Sequence, residues 1–141
     1  MKALIFDSGT LITLSMNGLL YILEELKKNF EGKFLITEAV KYEVINRPLK
    51  IQRFELSALQ IKKLLDEKTI ELCDSLGISR EIINKQTSYL MQEANSCVIS
   101  KNKQIDIISE AETSCLALSL ELEKKGIENI IAIDERTTRI L

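Results

Sequence analysis

The chain has 141 residues, of which 45% are hydrophobic and 28% are charged, which suffices for one domain with a buried core and excludes two full domains. Its 19 basic and 21 acidic residues give a net charge of -2, so any site for a polyanion must be a local patch. Histidine is absent, which excludes Ser-His and Cys-His nucleophile pairs and His-ligated zinc.

The cysteines and the N-terminus bear on the cellular compartment. Cys73, Cys97 and Cys115 are odd in number, far apart and set in apolar stretches, a pattern that favours reduced core thiols over disulfides or a zinc site. The N-terminal apolar run is cut short by Asp7, and no stretch approaches the length of a membrane span. We therefore expect a soluble, cytoplasmic protein with no membrane partner.

The first third of the chain shows two strand and helix signals in succession. An apolar run at residues 2–6 predicts a buried strand, and apolar residues at helical spacing predict a helix over residues 18–28. The strand signal returns at residues 32–37, and Thr37 is suited to cap a helix over residues 38–45. Each strand is thus followed by a helix that can cross over to the next strand.

The middle of the chain continues the alternation. An amphipathic helix is predicted over residues 53–67, followed by a short third strand at residues 69–73. Ser79 is suited to cap a long helix that reaches roughly Val98. The polar residues 100–104 predict a loop.

The last part of the chain carries one more helix and one more strand. Ser109 predicts the start of a helix that ends at Gly126. The inward face of this helix carries Cys115, Leu116, Leu118 and Leu122. The apolar run at residues 129–133 predicts a central fourth strand, leaving residues 134–141 as a turn and the first turns of a helix. The alternation predicts an α/β fold in one domain, a three-layer α/β/α sandwich around a parallel sheet of about four strands.

Two aspartates follow apolar strand signals directly. Asp7 comes after the first predicted strand and Asp134 after the last. Each has an ordinary explanation as a turn residue or helix cap. If the two strands are neighbours, however, both carboxylates reach the same crevice at the carboxyl ends of the strands, where α/β proteins bind ligands. Ser8, next to Asp7, is placed to assist through its hydroxyl or its backbone.

Glutamates on two predicted helices could join these aspartates. Glu43 lies three residues after the core-facing Val40, and a solvated surface position explains it equally well. Ser109 and Glu112 fit a capping box, which gives Glu112 a structural task. Glu110 is then available, although a carboxylate in the first turn also gains from the helix dipole.

Gathered carboxylates are an oxygen-ligand site of the kind that Mg²⁺ or Mn²⁺ prefers. The segment Asp7-Ser8-Gly9-Thr10 has some similarity to the Asp-x-Asp-Gly-Thr signature of the haloacid-dehalogenase phosphatases. It is one residue short of that signature and lacks its second aspartate, which serves as the acid/base of that family. The phosphatase interpretation is therefore the weaker one.

Four segments, in order along the chain, resemble the PIN-domain family of Mg²⁺- or Mn²⁺-dependent ribonucleases. They are residues 6–12 (FDSGTLI), 38–44 (EAVKYEV), 108–113 (ISEAET) leading into Leu-Ala-Leu, and 131–136 (IAIDER). Relatives usually add another strand and helix near the C-terminus, so the resemblance implies a truncated or reduced member of the family.

The resemblance implies a PIN-like fold and an endoribonuclease that binds Mg²⁺ or Mn²⁺. Its catalytic and metal-binding cluster would consist of Asp7, Glu43, Glu110 and Asp134. The third position is a glutamate where many relatives have aspartate, so Glu112 or Glu135 is an alternative ligand. RNA contacts are expected from Ser8, Arg136 and Arg139.

The resemblance also bears on partners. It implies RNA as substrate, an antitoxin protein if the chain is the toxin of a toxin–antitoxin pair, and a homodimer. An RNA-processing role is the other expectation for an active enzyme. The alternative from a different functional class is a PIN-like module that binds RNA or protein and has lost catalytic activity.

Overall fold

The computed structural model describes residues 1–48, 55–96, 99–100, 103–104 and 109–134. In chain order, the elements are β1 (Lys2–Phe6), α1 (Ser8–Met16), α2 (Tyr21–Asn29), β2 (Gly32–Ile36), α3 (Glu38–Lys41) with a π-helical turn (Tyr42–Asn46), α4 (Glu55–Asp66), β3 (Glu71–Leu72) with a 3₁₀ turn (Cys73–Leu76), α5 (Arg80–Ser96), β4 (Ile99–Ser100), β5 (Lys103–Gln104), α6 (Glu110–Lys124) and β6 (Glu128–Ala132).

A four-stranded parallel sheet organises the described part of the chain. Its order is β3-β2-β1-β6, so β1 lies between β2 and β6. Phe34, Leu35 and Ile36 follow one another along β2 and are all buried. Since successive strand residues point to opposite faces, both faces of the sheet must be covered. This confirms a mixed α/β architecture with a parallel sheet and is compatible with an α/β/α sandwich.

The position of the last strand differs from the prediction. We expected residues 129–133 to form a central strand, but β6 lies at one end of the described sheet, next to β1. Ile130 is 67% exposed, so one face of this apolar strand is only partly covered. Strand order depends on the crossover connections, and the apolar character of a strand does not encode it.

The region after β1 contains a helix that the sequence did not predict. We expected a turn around Asp7 and a helix starting at Gly18, but α1 already begins at Ser8 and α2 begins only at Tyr21. The Thr and Ile residues of α1 have low helix propensity, and burial of Leu11 in the core stabilises the helix instead. Gly18 has φ +67°, a conformation that interrupts the helical segment between α1 and α2.

Two short elements also differ from the sequence prediction. The third strand, expected over residues 69–73, comprises only Glu71–Leu72 before a 3₁₀ turn begins at Cys73. The expected loop at residues 100–104 instead contains a two-residue antiparallel ladder between Ile99–Ser100 and Lys103–Gln104. A strand of two residues is too short to show the alternation of apolar and polar residues that identifies strands in a sequence.

The predicted helix starts at Thr37, Ser79 and Ser109 are confirmed. The Thr37 hydroxyl accepts from the Val40 backbone N–H at 3.2 Å. The Ser79 hydroxyl likewise accepts from the Ile82 N–H at 3.2 Å. At Ser109 the full capping box forms with Glu112. These caps were predictable because they depend on residues within one helical turn.

Other expectations are met in part. On α6, the residues Cys115, Leu118 and Leu122 are buried as predicted, whereas Leu116 is only half-buried.

The free thiols of Cys73 and Cys115 lie in the core, and Cys97 and Val98 lie outside the described residues. Burial, assisted by Asp74, raises the pKa of Cys73 from 9.0 to about 11, so this thiol stays protonated and unreactive near neutral pH.

The length and apolar character of the helices bear on membrane insertion. Among the residues that the structure describes, none of the helices combines the length and the apolar character that a bilayer span requires.

Candidate metal centre

Asp7 lies in the middle of the carboxyl edge of the sheet. It directly follows β1, one of the two strands with a neighbour on each side in the described sheet, and only 2% of its surface is exposed. Its backbone N–H donates to the Ala132 carbonyl at 3.1 Å, which joins it to the end of β6. Asp7 occupies the N-cap position of α1, but its side chain makes no capping hydrogen bond there. The ordinary role of helix cap therefore does not explain this buried carboxylate.

Helix α1 also holds the segment that contains Asp134. The Thr13 hydroxyl donates to Asp134 Oδ2 at 2.9 Å. One turn earlier, the Thr10 hydroxyl donates to the Ala132 carbonyl at 2.9 Å. These two threonines tie the end of β6 to α1, and they orient the exposed Asp134 side chain. Sequence reasoning missed both, because a threonine in a helix gives no signal of a partner more than 120 residues away.

Gly9 shows how close the two aspartates are. A Cβ atom built on this glycine would lie 3.7 Å from the Asp134 Cβ and 3.9 Å from Asp7 Oδ2. Both side chains therefore flank the same point at the start of α1. Chain order separates these two residues widely, and the parallel pairing of β1 with β6 brings them together.

Glu43 is presented by an irregular stretch of helix. Helix α3 changes at Tyr42 into a π-helical turn, in which the Arg47 N–H donates to the Tyr42 carbonyl at 2.8 Å. We expected a regular helix over residues 38–45. Turns of this kind are rare and often occur at functional sites. Glu43 is half-buried there, so it is not the fully solvated glutamate that the sequence left open.

Several of these acids affect the pKa of the buried Cys115 thiol. Its Sγ atom lies 3.8 Å from the Phe6 carbonyl, at the end of β1. Burial raises the pKa of Cys115 well above its usual value, and the negative charges of Asp7, Glu112 and Glu43 raise it further. The acids that contribute to this shift therefore include Asp7, Glu43 and Glu112.

The two glutamates of α6 are placed differently. Glu110 is exposed at the first position of the helix, whereas Glu112 is half-buried. Glu112 Oε2 accepts from the Ser109 N–H at 3.3 Å, and the Ser109 hydroxyl accepts from the Glu112 N–H at 3.2 Å. We expected the capping role to leave Glu110 as the member of the acidic cluster. Glu112 performs that capping role and also contributes to the negative field at Cys115.

A pair of hydroxyls fixes α6 against the strand ends. Thr37 Oγ1 and Ser114 Oγ lie 2.6 Å apart, and both side chains are buried. Since Thr37 directly follows β2, this hydrogen bond anchors the first turns of α6 to the same edge of the sheet that carries Asp7. Ser114 was not among the residues predicted for the site, since only the fold brings it to Thr37.

Another acid at this edge has a clear structural partner. Glu38 Oε1 lies 3.0 Å from Arg80 Nε, and the same guanidinium lies 3.2 Å from Asp74 Oδ2. Arg80 therefore links the start of α3 to the turn after β3. Its guanidinium accounts for the charge of Glu38 and leaves that residue outside the cluster of Asp7 and Asp134.

The predicted substrate contacts are described only in part. Ser8, the first residue of α1, is 8% exposed, so its hydroxyl has little open surface. Arg136 and Arg139 lie outside the described residues, as does Glu135, the alternative ligand.

The donor set fits a hard divalent ion in its chemistry. All the candidate donors are carboxylate oxygens, and Mg²⁺ needs only one or two of them because it keeps several waters. Asp7 and Asp134, which both flank Gly9, would each supply a carboxylate to such an ion. Within the described ranges, no three acidic or cysteine side chains already form a group that could hold an ion. In comparisons with known proteins, the chain matches no protein-family model and no curated protein.

Proposed function

We propose that this chain is a Mg²⁺- or Mn²⁺-dependent endoribonuclease with a PIN-like fold. The observation that supports it most is the approach of Asp7 and Asp134 at Gly9, on the carboxyl edge of a parallel sheet. Carboxylates brought together at this edge repel each other unless a cation offsets their charge.

Each residue of the proposed site has a separate role. Asp7 and Asp134 would hold the ion, and Thr13 orients Asp134 through its hydroxyl. Mg²⁺ or Mn²⁺ would supply a water of lowered pKa and offset negative charge on the phosphodiester. Glu43 and a carboxylate of α6, Glu110 or Glu112, would orient the nucleophilic water.

The proposed partners follow from the same function. RNA is the substrate, with contacts from Arg136, Arg139 and the backbone of Ser8, whose hydroxyl has little open surface. The proposal of a homodimer is supported by Leu56 and Leu59 of α4, which are 69% and 46% exposed. A toxin with an antitoxin partner and an RNA-processing factor, both in the cytoplasm, remain the two proposed biological roles.

One observation favours a second candidate function. Within the part of the chain that the structure describes, three potential ligands do not come together as a ready-made metal site. A PIN-like module that binds RNA or protein without cleaving it would have no need of such a group.

A metal titration coupled to a cleavage assay separates the two candidates. We expect the purified protein to bind Mn²⁺ in calorimetry and to cleave single-stranded RNA, and we expect EDTA to abolish cleavage. The physical reason is that clustered carboxylates without a cation repel the phosphate. RNA binding without cleavage at saturating Mn²⁺ would favour the inactive module instead.

Charge-neutral variants of α6 test which glutamate belongs to the site. We expect Glu112→Gln to weaken Mn²⁺ binding by about 10-fold or more, in the range of groups that support a metal site, and Glu110→Gln to change it less. Glutamine preserves the capping box, so Glu112→Gln removes charge without removing the cap. Calorimetric Mn²⁺ affinities of both variants give the comparison, and a larger loss in Glu110→Gln would reverse the assignment.

A further inference from the structure

A cleft lies beside Glu43, between α1, the π-helical turn and α4. Its volume is about 490 Å³, within the usual range for pockets that bind small ligands. The apolar part of its wall consists of Ile12, Met16, Val44, Pro48 and Ile61. The polar part consists of Ser15, Glu43, Arg47 and Ser57.

The apolar wall is open to solvent. Met16 is 71% exposed and Ile12 is 40% exposed, although both point into the cleft region. Exposed apolar side chains that line a concavity indicate a surface for a ligand or a partner. The cleft therefore offers an apolar contact surface, and no described residue covers it.

The polar side chains limit what the occupant can be. Arg47, Glu43 and Ser57 line the cleft and retain exposed surface. The Ser15 hydroxyl lies in the same wall but is already shielded from solvent. A purely apolar occupant would therefore desolvate a cation, an anion and a hydroxyl without pairing them, which is unfavourable.

We propose that the cleft holds one base of a single-stranded RNA, an inference that rests on the proposed function. A nucleobase has apolar faces and polar edges. Its faces contact Ile12 and Met16, and its edge hydrogen-bonds to the Ser57 hydroxyl. Arg47 at the rim pairs with a backbone phosphate.

Helix α1 connects this base site with the metal centre. Its Ile12 lines the cleft together with Glu43, and the next residue, Thr13, donates to Asp134. A nucleotide with its base in the cleft therefore has its phosphodiester near Asp134. The cleft would then select unpaired nucleotides for cleavage, because a base in a duplex is unavailable for insertion.

The methionine methyl groups provide a direct test. The chain has 3 methionines, and Met16 lines the cleft whereas Met1 and Met91 do not. The protein labelled with ¹³C-methyl methionine is titrated with a single-stranded RNA hexamer in EDTA, which prevents cleavage, and with adenosine monophosphate and ribose 5-phosphate in Mg²⁺, which offsets the carboxylates. We expect the Met16 methyl to shift with the first two probes, which carry bases, and all three methyls to stay in place with ribose 5-phosphate.

A cleft-filling variant with a matched control completes the test. Ser57→Phe introduces a ring into the cleft, and Lys62→Phe introduces the same ring at an exposed position of α4 outside it. We expect Ser57→Phe to weaken binding of the hexamer at least about fivefold, the loss of one stacked base, and Lys62→Phe to leave it unchanged. The titration of the wild-type protein tests the base site even if Ser57→Phe fails to fold.

Each result distinguishes the base site from the nuclease. RNA cleavage with a stationary Met16 methyl overturns the base site and leaves the proposed function intact. A shifted Met16 methyl in a protein that neither binds Mn²⁺ nor cleaves RNA supports the base site and overturns the nuclease. A Met16 methyl that responds only to protein concentration shows that a second copy of this chain covers the cleft, and that result also overturns the base site.

Discussion

The Asp7→Asn variant is expected to lose Mn²⁺ binding and RNA cleavage together. Asp7 is 2% exposed at the end of an interior strand, and its carboxylate flanks Gly9 together with Asp134. Asparagine has nearly the same shape but no charge, so the change removes the negative charge and leaves the packing in place. Loss of a supporting group alone costs 10- to 100-fold in metal affinity. We therefore expect a decrease of more than about 100-fold in both Mn²⁺ affinity and cleavage rate.

A control aspartate shows whether the effect is specific to this position. Asp74 also follows a strand at the same edge of the sheet, but its carboxylate pairs with Arg80 at 3.2 Å. Asp74→Asn should therefore leave Mn²⁺ affinity and cleavage nearly unchanged. Cleavage that persists at the wild-type rate in Asp7→Asn would point to a contaminating nuclease or to another site.

The stability of Asp7→Asn separates a lost ligand from a lost fold. In EDTA neither protein has a bound ion, and asparagine has nearly the same shape as the buried Asp7 side chain that it replaces. The variant should therefore unfold in EDTA at a urea concentration close to that of wild type. Only the wild type should gain stability when Mn²⁺ is added, because a ligand that binds the native state stabilises it.

The largest effect on stability is expected for Phe34→Ala. Phe34 is 1% exposed in β2, and its ring lies 5.3 Å from the Phe6 ring and 5.0 Å from the Phe30 ring. Truncating a buried phenylalanine to alanine typically costs about 3–5 kcal/mol. Since small domains have about 5–15 kcal/mol of stability in total, the variant should be close to unfolding. Urea denaturation followed by circular dichroism measures this loss.

A surface aromatic residue serves as the control for Phe34→Ala. Tyr89 on α5 is 57% exposed, and substitutions at such positions usually change stability by no more than about 0.5 kcal/mol. Tyr89→Ala should therefore unfold close to the wild-type midpoint. A loss below about 1 kcal/mol in Phe34→Ala would contradict the central, doubly covered position of β2.

Local signals in the sequence were sufficient for much of the fold. The caps at Thr37, Ser79 and Ser109 were correctly predicted, because each depends on a hydrogen bond within one helical turn. The buried strands β1 and β2 were also predicted, since continuous apolar runs are typical of a parallel sheet covered on both faces. Helix α1 was not predicted, because its stability comes from burial rather than from the propensity of its residues.

In the candidate site, the types of side chain were evident from the sequence, whereas the contacts between distant residues became evident from the fold. The absence of histidine and the aspartates after strand signals already limited the site to carboxylate oxygens. The contacts that arrange them join distant residues, as between Thr13 and Asp134 or Thr37 and Ser114. Such contacts follow from the order of strands in the sheet, which no local pattern encodes because it is set by how the helices cross over and pack.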